Sequence, residues 1–318
     1  MHRRKIQLIA GTTYSVSLPK EWVKRNNLRE KNEILLFEKD DRTLVISPHS
    51  IDGGKLDNIS LNIDEYATNI DQVLFAVYYL GIENISLFSR KELTKDVKAR
   101  IRKTITHMSG TEISYEDKQK ITIKVLLDQS KVDIIQVFYR ISLILESSIS
   151  NVLEDLDINE IRINENEIDR LYHLIAKIVL LSLIDSNVLH SSKIKNVSLV
   201  PAYFLISKRL ENIGDNINHL SEYLHETKVD FENKKEILGF IKAELNRNID
   251  YVARIPKASK VFEKINADDL RKINNSISKV EDRTIQNYLE YIIRYVVDIE
   301  EEIVNISFYN KLIHDNIL

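Results

Sequence analysis

NENEIDRLYHL (Asn164–Leu174) and KRLENIGDNINHL (Lys208–Leu220) decide how this chain is read. Each holds two carboxylates four residues apart: Glu165 and Asp169 in the first, Glu211 and Asp215 in the second. A helix turns once per 3.6 residues, so such pairs share a face, one turn apart. Like charges placed that way repel, and they gain nothing unless they face solvent or a cation bridges them. Two such helices side by side would offer four oxygen donors, enough for a hard or borderline divalent metal. His173, four after Asp169, and His219, four after Asp215, extend each row with a nitrogen donor. A third pair, Asp298 and Glu302, lies in VVDIEEEI (Val296–Ile303). A solvated acidic face explains any one pair by itself; three pairs at matching places make the metal reading its equal.

Outward from these segments the pattern is helical from Asp133 to the end. Ile134, Ile135, Phe138, Ile141, Leu145, Ile149 and Leu153 recur at threes and fours, one face of a helix. Further segments follow near 160–186, 197–226, 234–255, 266–281 and 284–314. Six helices in series suggest two three-helix repeats, 131–228 and 229–318, and KRLENIGDNINHL is echoed by IIRYVVDIEEEIVNI (Ile292–Ile306). Short polar links between long amphipathic helices imply antiparallel packing.

Composition agrees. At 318 residues the chain exceeds one ordinary core, so two or three domains are expected. Only 7 Gly and 4 Pro favour long helices. The absence of cysteine removes disulfides, thiolate metal sites and cysteine nucleophiles, and suits a reducing cytoplasm. The N-terminus has no apolar leader segment, and the most apolar run, Leu174–Ile184, is about half a membrane span. A cytoplasmic protein that is not embedded in a membrane is therefore expected. The net charge of −3 divides into +4 over residues 1–50, −1 over residues 51–130 and −6 over residues 131–318. A basic head on an acidic body implies nucleic acid as partner for one end and cations for the other.

Residues 1–50 alternate like short strands around one helix. KIQLI, the turn Gly11-Thr12-Thr13 and TYSVSLP make one hairpin; EILLF and TLVIS bracket Lys39-Asp40-Asp41-Arg42 in a second. KEWVKRNN between them is helical, and Trp22 is expected to pack that helix on the strands. Pro48 and Gly53-Gly54 mark a linker. Residues 55–130 switch period repeatedly and read as β-α-β-α-β-β, a small α/β sandwich in which Tyr78 and Tyr79 belong to a core stripe. The fold class is thus multidomain α+β.

The segment RKIQLIAGTTYSVSLPKEWV, followed by EILLF and TLVIS, resembles the AbrB/SpoVT/MazE swapped-hairpin family over about 45 residues. The resemblance implies an N-terminal β-barrel intertwined from two chains, hence a homodimer or higher homo-oligomer, with a basic face on double-stranded DNA. The positions concerned are Arg3, Arg4, Lys5, Lys20, Lys24 and Arg25, where clustered cations would displace the counterions of phosphate. A solvated basic face on a module that only dimerises remains the alternative. IDRLYHLI and KRLENIGDNINHL look like the paired signature of PhoU proteins, all-α bundles of two three-helix repeats, over about 185 residues. That resemblance implies zinc, iron or manganese at Glu165, Asp169, Glu211, Asp215, Asp298 and Glu302, and a phosphate transporter or signalling protein as partner. The second repeat departs from it, since DLRKINNSISKVED (Asp269–Asp282) lacks the acidic-Ile-Asp-Arg-Leu arrangement; Asp298 aligns equally with Glu211 or Asp215. A swapped-hairpin head on such a bundle resembles an architecture typical of archaea.

There is no P-loop Lys-Ser/Thr, G-x-G-x-x-G, G-x-S-x-G or H-E-x-x-H, and the carboxylates have neither a nucleophile nor oxyanion donors beside them. A non-enzymatic, DNA-binding regulator of phosphate uptake and homeostasis is the expected function. The alternative is a regulatory scaffold that contacts a transporter or kinase and uses its head only to dimerise.

Overall fold

The structure is a computed structural model and describes residues 3–40, 43–48, 57–66, 68–254 and 260–315. Gly53-Gly54 of the linker and Asp41-Arg42 of the second hairpin turn lie outside them. The chain divides into two compact units, Met1–Lys55 and Leu56–Leu318.

The first unit holds two antiparallel hairpins, β1 (Gln7–Ile9) with β2 (Thr13–Ser15) and β3 (Leu35–Asp40) with β4 (Thr43–Ser47). Helix α1 (Lys20–Arg25) lies between them in sequence, entered through Pro19. Among the described residues the two hairpins form separate two-stranded sheets that do not pair with each other. Their apolar side chains stay in solvent: Ile6 is 72% exposed, Tyr14 74% and Leu36 59%.

The second unit begins with a four-stranded sheet in the order β5-β6-β8-β7. The strands are β5 (Asn58–Asn62), β6 (Asn84–Phe88), β7 (Thr111–Glu116) and β8 (Lys120–Val125). β5 and β6 run parallel, the remaining pairs antiparallel. Alternation puts Ile85, Leu87, Ile121, Ile123 and Val125 on one face. Ile70, Leu74 and Tyr78 of α2 (Ile70–Tyr79) and Ile101 and Ile105 of α3 (Lys95–Thr106) share that core.

The rest is helical: α4 (Ile134–Leu153), α5 (Ile158–Ser182), α6 (Ser186–Ser191), α7 (Val200–Thr227), α8 (Lys234–Arg254), α9 (Ala267–Ser278) and α10 (Arg283–His314). Their starts follow from capping chemistry. Asp133, Asp157, Asp185 and Asp282 each accept backbone N–H groups of the following first turn. The link between α5 and α7 was expected to be short and polar. It instead contains α6, which Asp185 caps and buried Val188 and Leu189 hold down. The helices share one continuous core, in which α7 packs on both α5 and α10, and α4 on both α5 and α8. The two halves are thus fused through their inner helices, and the second is the lesser: α9 has 12 residues where α5 has 25. No helix among the described residues is long and apolar enough to cross a membrane.

Candidate metal centre

Helices α5 and α7 lie side by side, and Gly214 permits their close approach. A Cβ at that position would stand 3.0 Å from Ile168 Cδ1 on α5. Ile168 and Gly214 adjoin Asp169 and Asp215 in sequence, so the contact draws the two acidic rows together. Glu165, Asp169 and Asp215 each offer an oxygen, and these oxygens all lie within 4.8 Å of one another.

The field there disfavours ionisation. Burial, then Glu165, Asp215 and Glu211, push Asp169 from the ordinary 3.8 up to about 7. Glu165 and Asp215 are raised as well, each mainly by burial. Glu211 is also raised by burial, but Lys208 Nζ donates to both its oxygens at 2.7 Å. It therefore stands beside the triad already neutralised.

The other expected ligands are placed elsewhere. Burial first, then His107 and Lys208, lower His173 to about 4; its ring stacks on Phe75 at 3.7 Å and its Nδ1 is hydrogen-bonded with the Tyr79 hydroxyl. It serves the contact between α2 and α5. His219 is exposed, with its ring 6.1 Å from that of Tyr288. Asp298 pairs with Arg209 of α7 at 3.0 Å, and Glu302 accepts from Asn305 at 3.4 Å. Neither joins the triad. In the same α10 run Glu300 is wholly buried, and it accepts from Arg247 and from the Ile265 amide. Side-chain cations thus neutralise much of this acidic run in the second half.

Tyr78 is buried in the sheet-domain core, where its hydroxyl donates to Ser109 O at 3.0 Å, and the Lys177 ammonium of α5 lies 4.2 Å from its ring centroid. Arg170, next to Asp169, turns away from the triad, donating to Glu167 and to Ser109 Oγ. These contacts seat the sheet domain on α5 and leave a cleft of about 630 Å³ between them. The triad carboxylates Glu165 and Asp169 line it from the bundle, with Asn218 of α7; Lys103 and His107 line it from the sheet domain. His107 Nδ1 stands 3.9 Å from Asp169 Oδ2. Reading the sequence alone overlooks His107 and Asn218, because no local spacing connects His107 with the acidic rows.

In the first unit Arg3, Arg4, Lys5, Lys20, Lys24 and Arg25 are all exposed, and none pairs with a carboxylate among the described residues. They lie on the first strand's approach and on α1, leaving six uncompensated cations on about 45 residues.

Exposed cations on the hairpin unit and a cluster of carboxylates between two bundle helices are features suited to binding. Two family models match this chain. Residues 7–53 match the antidote-toxin recognition family of MazE bacterial antitoxins, and residues 138–224 match the PhoU domain. The chain therefore carries a MazE/AbrB-like domain followed by a PhoU domain, both of regulatory families. Comparison with curated proteins and with solved structures gave no match.

Proposed function

We propose that this protein is a DNA-binding regulator of phosphate homeostasis whose bundle responds to a divalent cation. The observation that carries the reading is the convergence of Glu165, Asp169 and Asp215 within the segment that matches the PhoU domain. Three half-buried carboxylates whose nearby cations do not offset their burial are a costly arrangement, and a bound dication reverses the sign of that cost. Asn218 borders the same cleft, and its buried Oδ1 has no hydrogen-bond partner. Zinc, iron(II) or manganese suits such oxygen donors. Glu165, Asp169 and Asp215 hold it, with Glu211 in reserve behind its lysine. Asp298 is held apart from them by its ion pair with Arg209, and Glu302 by its place on α10, where it accepts from Asn305.

The apolar side chains left exposed on both hairpins support a homodimer that buries them, as the swapped-hairpin resemblance implies. The six free cations support contact with DNA phosphates. A second reading, a scaffold whose head recognises only protein, draws on the antitoxin match of residues 7–53. A gel shift on random duplex DNA at low and high salt separates the two. The first reading expects binding, and Arg3→Ala, Arg4→Ala and Lys5→Ala together should weaken it on every sequence and flatten the salt slope by up to about three. No binding at low salt leaves the scaffold. Sedimentation should find a dimer or larger assembly; a folded monomer at micromolar concentration removes the intertwined head.

A further inference from the structure

The cleft is walled by two domains, and only one of them carries the acidic rows. The turn His107–Thr111, which leads from α3 into β7, forms the facing wall. It is held from both sides: Tyr78 donates to Ser109 O, and Arg170 of α5 donates to Ser109 Oγ. Gly110 has φ +71, and a Cβ there would meet Leu127 at 2.8 Å, so the turn has little freedom to reshape. His107, at the C-terminal cap of α3, is thereby fixed with its ring nitrogen toward Asp169, and its side chain is only 13% exposed.

We propose that His107 is a ligand of the cation held by Glu165, Asp169 and Asp215, so that one ion ties the sheet domain to the bundle. The inference rests on the cation reading above and deepens it. An imidazole nitrogen among carboxylate oxygens selects borderline transition metals such as zinc and iron(II) over calcium and magnesium. Asn218, one turn beyond Asp215, borders the same cleft, and its Oδ1 is buried without a hydrogen-bond partner. The His107 ring lies just outside the converged oxygens of the triad, 3.9 Å from Asp169, so binding would close that gap by rotation of the two side chains about a turn that stays in place. The cation would then report on whether the sheet domain is seated, and its loss would loosen that seating while leaving both cores intact.

The test uses the full-length protein stripped of metal and titrated with cobalt(II) and with zinc. Wild type should take one ion per chain, and His107→Gln should bind it at least tenfold more weakly with altered cobalt visible bands. Zinc should slow hydrogen exchange of amides 104–111 in wild type and leave them unchanged in the variant. Equal affinity and equal cobalt spectra in the two proteins would overturn the proposal while leaving the carboxylate site standing. If wild type binds no ion, and Asp169→Asn with Asp215→Asn behaves identically, the carboxylate reading itself fails and this one with it. The exchange measurement on wild type needs no variant. Should His107→Gln not fold, unchanged exchange at 104–111 in zinc-loaded wild type overturns the clamp and slowed exchange supports it.

Discussion

Replacing Asp169 with Asn in metal-free protein should stabilise it, and the gain should depend on pH. Burial and the neighbouring carboxylates hold Asp169 at about 7 in the fold, against 3.8 ordinarily. At about 1.4 kcal/mol for each pH unit, the ionised carboxylate costs the fold up to about 4 kcal/mol. Its side chain is 26% exposed, so solvent screening reduces the realised cost to about 2–4 kcal/mol. The sign follows from linkage. A raised folded-state pKa means that the folded protein holds the proton more tightly than the unfolded chain. The resulting stability is fully present below about 3.8 and is lost as pH rises through about 7. The amide of the Asp169→Asn variant does not titrate and resembles the protonated acid. The variant should therefore match wild type near pH 4 and exceed it by about 2–4 kcal/mol at pH 8, or about 5–10 °C in Tm. Thermal unfolding followed by helix circular dichroism, in chelator and across that pH range, measures the difference. Adding zinc at pH 8 should raise the Tm of wild type and leave that of Asp169→Asn little changed. A variant less stable than wild type at pH 8 without metal would refute the argument, because the carboxylate would then be a structural partner.

Four further substitutions probe the packing of the bundle and of the turn beside the site. Gly214→Val should push α7 from α5, costing about 1–3 kcal/mol in urea unfolding and reducing the zinc-induced rise in Tm; an unchanged zinc response would mean that close approach does not set the site. Arg247→Ala should cost about 3–5 kcal/mol at pH 8, because it leaves Glu300 charged and buried, and less at pH 5, because burial already raises the Glu300 pKa and protonation relieves the charge. Glu300→Gln should cost clearly less than Arg247→Ala, as chemical unfolding of the two will show. Tyr78→Phe removes the hydroxyl that holds Ser109 O and should cost about 1–3 kcal/mol, with faster hydrogen exchange in the 107–111 turn.

Much of the fold is legible in the sequence because its signals are local. The threes and fours of Ile134 to Leu153 make a helix whatever surrounds them, and Asp133, Asp157 and Asp282 cap the first turns of the helices that follow them. The switching periods of residues 58–125 likewise announce strands and helices in their observed order. The spacing of Glu165 with Asp169 and of Glu211 with Asp215 is local too, so each row can be read from the chain. Which members of those rows meet is a different matter. Glu211 is taken by Lys208, one turn before it on the same helix, while Asp298 is taken by Arg209 because α10 lies along α7. His173 is drawn off the row by the rings of α2, a contact between segments about 95 residues apart. His107 reaches Asp169 only because Ser109 anchors its turn to Tyr78 and Arg170. Periodicity records which face of each helix is apolar or charged. Which faces meet depends on packing between distant segments, where the missing side chain of Gly214 brings α7 up to Ile168 and the two acidic rows with it.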